Sequence, residues 1–75
     1  MLSFQLNDAG RSVMVYCDSN GLNQLINTLT SLRESPDMGH IHMRSPSAGG
    51  EMLNDQNPWG ETAVSEVVIS FSQND

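Results

Sequence analysis

The hydrophobic period of this chain changes at Gly21 and changes back after Pro36, and that switch constrains the fold more than any single residue does. Leu2, Phe4 and Leu6 alternate with Ser3 and Gln5, the spacing of a half-buried strand. Asn7-Asp8-Ala9-Gly10 is turn chemistry. Arg11–Cys17 (RSVMVYC) is β-branched and aromatic, so it returns antiparallel to the first strand. From there Leu22, Leu25, Ile26, Leu29 and Leu32 follow a single helical stripe. Asp18 or Ser19 offers the N-cap oxygen, Arg33 suits the C-terminal end of the dipole, and Ser35-Pro36-Asp37 ends the helix.

Alternation then resumes. In Met38–Arg44, Ile41 and Met43 share one face with Gly39, while Met38, His40, His42 and Arg44 share the other. Ala63–Ser72 alternates as well, with Val67, Ile69 and Phe71 inward and Val64, Glu66 and Val68 outward. The expected fold is α+β in the order β-β-α-β-β: a four-stranded, mainly antiparallel sheet with one amphipathic helix packed on one face. All 75 residues make one small domain. In this arrangement the leucine stripe covers Leu2, Phe4, Leu6, Val13, Val15, Ile41, Met43, Val67, Ile69 and Phe71. Cys17 lies inward on the same row. The opposite sheet face shows Met14, Tyr16, Met38, His40, His42, Arg44, Glu66 and Val68 as a contact surface.

A domain of this size supplies about 3–5 kcal/mol from its core, so it commonly needs a disulfide, a metal or a partner subunit. One cysteine excludes an internal disulfide, and no CxxC spacing for zinc is present. A homodimer is the structural alternative. Nine carboxylates stand against three arginines and no lysine, a net charge of −6. Direct nucleic-acid binding needs cations that this chain lacks. The acidic balance suits a basic protein partner instead. With no signal peptide and no apolar run long enough to span a bilayer, the expectation is a cytoplasmic chain with no membrane partner.

Ser45–Gly60 is a long loop broken by Pro46, Gly49-Gly50, Pro58 and Gly60, and loops above about 12–15 residues are usually functional. Met52 and Leu53 anchor its middle, and Trp59 is an anchor or an interface hot spot. His40 and His42 are spaced to share a metal, with a third ligand from Glu51, Asp55, Glu61 or Glu66. Two sheet-face histidines beside Glu66 is the simpler reading, and no metal or other cofactor is expected. Cys17 with a histidine would make a nucleophile–base pair, but its inward position opposes it. Gly49-Gly50 reads as a tight turn rather than a phosphate cradle, since Glu51 follows and no lysine is near. No catalytic residue is assigned, and a non-enzymatic binding protein is expected.

The run HIHMRSPSAGGEML with Asn54, the loop Pro58-Trp59-Gly60-Glu61 and the strand EVVISF together resemble the small bacterial immunity proteins of polymorphic toxin systems, immunity protein family 32. The resemblance covers roughly residues 22–71. It implies a small α+β binder that neutralises a cognate protein toxin by direct contact. On residue chemistry, the partner-binding candidates are His40, His42, Arg44, Glu51, Asp55, Trp59, Glu61 and Glu66.

Overall fold

A computed structural model describes residues 1–7, 9–35, 39–54 and 62–72. Strands β1 (Leu2–Leu6) and β2 (Val13–Cys17) form an antiparallel hairpin with Phe4 opposite Val15. Asn7 organises its turn: Oδ1 accepts from the Arg11 and Ser12 amides, and its carbonyl accepts from Gly10 N–H. Gly10 sits at φ +66°, a conformation that strains most other residues.

Helix α1 (Ser19–Glu34) begins where the sequence places its cap, with Asp18 Oδ1 accepting from Gly21 N–H at 2.8 Å. It ends at Ser35, whose N–H donates to the Ser31 carbonyl. Gly21 is a close approach. A Cβ there would lie 1.7 Å from the Met1 carbonyl oxygen and 3.2 Å from Cys17 Cβ. The start of the helix is thereby pressed against the end of the β1–β2 hairpin.

Strand β3 (His40–Arg44) pairs antiparallel with β5 (Glu66–Ser70), and β4 (Thr62–Ala63) pairs antiparallel with β1 at Gln5 and Leu6. The final alternating segment is therefore broken at Val64-Ser65 and serves two sheets, β2-β1-β4 and β3-β5. Each ladder runs one pair further into the break: Val64 N–H donates to Phe4 O at 2.8 Å in the first sheet, and Ser45 N–H to Ser65 O at 2.9 Å in the second. Asn54 N–H to Leu2 O at 2.8 Å extends the covered edge of β1. The α+β class, the one α-helix among the described residues and the antiparallel pairing are those expected, with the sheet divided in two.

Leu2, Met43 and Leu53 form the core, with Phe4, Leu25, Met52, Val67 and Ile69 packed against them; Leu32 is also buried. Coverage of the whole leucine stripe does not hold. Leu22, Ile26 and Leu29 are 42–50% exposed, Val13 and Val15 are 62% and 46% exposed, and Phe71 and Cys17 are exposed too. The helix is rolled so that the flank carrying Gly21, Leu25 and Leu32 faces inward. Gly21 dictates the roll, because only that residue lets the helix approach Met1 so closely. Ser3 and Gln5, the polar positions of β1, are fully buried. Gln5 Nε2 donates to Ser3 Oγ at 3.1 Å, while Gln5 Oε1 has no partner among the described residues.

Candidate functional site

Alternation in β3 fixes the candidate surface. Ile41 and Met43 turn toward the core opposite Ile69 and Val67; His40, His42 and Arg44 turn outward opposite Ser70, Val68 and Glu66. This row has an ionic centre. Glu66 Oε2 accepts from Arg44 Nε at 2.5 Å and lies 3.3 Å from His42 Nδ1. The hydrogen bond from Arg44 holds the Glu66 carboxyl below its ordinary value against an opposing desolvation, and His42 lowers it by less. His40 and His42 meet edge to face with ring centroids 5.0 Å apart. Val68, 47% exposed, supplies an apolar spot beside His42.

Four of the eight candidate residues, His40, His42, Arg44 and Glu66, thus come together on one exposed face. Glu51 does not join them. It lines a separate open hollow of about 460 Å³ with Met1, Leu2, Gln24, Pro46, Met52, Leu53 and Asn54. Asp55, Trp59 and Glu61 lie outside the described residues, as does Met38. Met14 and Tyr16, expected on the same face, belong to the other sheet, where Tyr16 Oη donates to Met14 Sδ at 3.4 Å.

The loop after β3 is tied down by its own backbone. Pro46–Ala48 forms one 3-10 turn closed by Gly49 at φ +86°, and Ser45 O accepts from both Ala48 and Gly50. A Cβ on Gly50 would meet Arg44 Cβ at 2.5 Å. The two glycines are accounted for by a left-handed turn and a close backbone approach, and Leu53 is buried as the anchor the sequence suggests. Ser45 and Ser47 hydroxyls lie 2.8 Å apart, and Ser47 reaches Ser65 at 3.4 Å. This seryl link between the loop and the β4–β5 break was not foreseen, since nothing in the spacing of serines signals it.

Among the described residues no three His, Cys, Asp or Glu side chains converge as a metal cage. Cys17 is exposed on the hairpin rather than buried, so its expected role as a small core hydrophobe is corrected. No helix among the described residues is long and apolar enough to cross a membrane. In comparison with known proteins, no family model, no curated protein and no solved structure matches this chain.

Proposed function

We propose that this chain is a non-enzymatic protein-binding module that engages a basic protein partner through the β3–β5 face. The observation that carries it is the exposed row of His40, His42, Arg44, Glu66 and Val68 on a chain of net charge −6. Such a row mixes an apolar spot, imidazoles and a fixed carboxylate, a composition suited to a protein contact rather than to proton transfer. The charge steers a cationic partner toward it. Following the sequence resemblance, the partner is a toxin and the chain its immunity protein, acting by occlusion in the bacterial cytoplasm.

Co-expression with the product of the adjacent reading frame tests this. The expected result is that the neighbour is toxic alone, is rescued by this chain, and is retained in a pull-down. The charge-reversed pair Arg44→Glu/Glu66→Arg should weaken that retention while leaving the circular dichroism spectrum unchanged. A neighbour that is neither toxic nor bound ends the immunity reading.

A second reading rests on the proximity of the two imidazoles: a metal shared by His40 and His42. Elemental analysis of untagged protein decides it, and a metal-free preparation that binds its partner at full affinity removes it.

A further inference from the structure

We propose that two copies of this chain pair through β2, antiparallel about a two-fold axis at Val15, with their α1 helices side by side on one face of a continuous sheet. This inference stands apart from the β3–β5 face and from the nature of its partner.

The backbone carries the first part of the argument. Asn7 N–H donates to Ser12 O and Asp18 N–H to Met1 O, both at 3.2 Å. In an antiparallel ladder the bonded pairs alternate, so Ser3/Tyr16 and Gln5/Met14 are the bonded pairs between them. Val13, Val15 and Cys17 therefore direct their N–H and C=O groups away from β1. Strand β2 ends the order β2-β1-β4, and no described strand occupies that side. These three residues are themselves exposed.

Natural edge strands are guarded by charge, proline or a bulge. Strand β2, Val-Met-Val-Tyr-Cys, has none of these. Strand β3, an edge of the second sheet, carries His40, His42 and Arg44 and is followed by Pro46. Strand β3 is protected in a way that β2 is not.

The helix extends the same surface. Gln24 faces the hollow shared with Asn54, on the side of β1 away from β2. Leu22, Ile26 and Leu29 stand about 140–200° around the axis from Gln24. With Leu25 and Leu32 pointing inward, that places these three exposed residues on the flank toward β2. Edge bonds alone make a small contact against the roughly 800 Å² per partner of a stable interface. The apolar flank of α1 supplies the remainder.

A second copy fits this surface because the surface is complementary to itself. Pairing about Val15 sets Val13 against Cys17 of the second copy and Met14 against Tyr16. The outward N–H and C=O groups of Val13, Val15 and Cys17 then meet their counterparts on the other copy. Between Arg11 and Arg33 the sole charged residue is Asp18, so the seam avoids the repulsion that a net −6 would impose elsewhere. At each end Arg11, exposed and without a carboxylate partner among the described residues, arrives beside Asp18 of the other copy.

Sedimentation velocity over a wide concentration range, on the whole chain, should show a dimer. Val15→Lys places two ammonium groups face to face and should weaken self-association by roughly 100-fold or more, with the fold intact by circular dichroism. Ile26→Lys, at a site half exposed in the monomer, should act in the same direction should Val15→Lys fail to fold. Register is read by oxidation in a Cys17→Ser background. Val15→Cys should give a covalent dimer, because bonded partners stand about 5.5 Å apart at Cα, within disulfide range. Val13→Cys should not, because its own copy lies about 14 Å away. A monomer at every concentration, a dimer indifferent to both lysines, or faster cross-linking at position 13 than at 15 overturns the proposal.

Discussion

Strands β1 and β2 are equal in length and lie side by side, yet their composition and burial run in opposite directions. Strand β1 alternates apolar with polar, and both its faces are withdrawn from water, Ser3 and Gln5 included. Strand β2 is apolar at all five positions, and three of them are exposed. The cause is position in the sheet. Strand β1 is central, with β2 on one edge and β4, Val64 and Asn54 on the other, while β2 has β1 alone. Side-chain character decides which residues share a face; strand order decides whether anything covers it. A central strand built with a polar row and an edge strand built without one is the arrangement expected when the edge becomes central in an assembly.

Core truncation gives the sharpest test of that contrast. Leu2→Ala should lower unfolding free energy by about 2–5 kcal/mol, since Leu2 is fully buried in the central cluster. Val13→Ala on the neighbouring strand should cost less than about 1 kcal/mol in dilute monomer. Urea titration of both variants measures the difference, and equal losses would mean that β2 is as covered as β1. Along the helix the same comparison separates Leu25→Ala, at the core, from Leu29→Ala, which is 42% exposed. The stripe alone ranks the two leucines equally.

Gly21→Ala probes the point where β1, β2 and α1 meet. Alanine is the better helix former by about 1 kcal/mol, yet its Cβ would overlap the backbone of Met1. Overpacking against backbone should win, with a net loss of about 1–3 kcal/mol by thermal or urea denaturation. A gain in stability would show that the helix can slide away from the hairpin.

Alternation, the N-cap and the helix stop were legible in the sequence because each is a local rule: Asp18 caps, Ile41 and Met43 face in, His40 and His42 face out. Antiparallel order was legible because the segments are short and alternate with turns. The break at Val64-Ser65 was not, because Ala63–Ser72 keeps its period straight through it, and the switch of partner from β1 to β3 depends on a distant backbone bond to Ser45. The roll of α1 was hidden as well. It depends on the missing Cβ of Gly21, which a hydrophobic pattern does not register. At the candidate site, the joining of His42, Arg44 and Glu66 followed from parity and register. Glu51 was misplaced because sequence proximity to Arg44 conceals the turn at Gly49.

The buried polar row of β1 offers a finer test. Ser3→Ala removes the acceptor of the buried Gln5 Nε2 and should cost roughly 1–2 kcal/mol. Adding Gln5→Met should restore most of that loss, because no unpaired amide then remains. A double variant no better than Ser3→Ala would indicate that the row is held by packing rather than by its hydrogen bond.

The smallest effect lies at the protected edge, and it concerns pH. Glu66 is held below its ordinary carboxylate value by Arg44 first and His42 second. A carboxyl depressed in the folded state contributes stability that is fully present above its unfolded value and is lost as pH falls through the folded one. The pair is exposed, so screening keeps its contribution small. Arg44→Gln should raise the Glu66 titration midpoint toward the ordinary value in an NMR titration, and added salt should do the same in part. His42→Gln should move it less. If Arg44→Gln leaves the midpoint unchanged, the ion pair does not organise this face, and the contrast between a charged, self-paired edge at β3 and an unguarded edge at β2 loses one of its two sides.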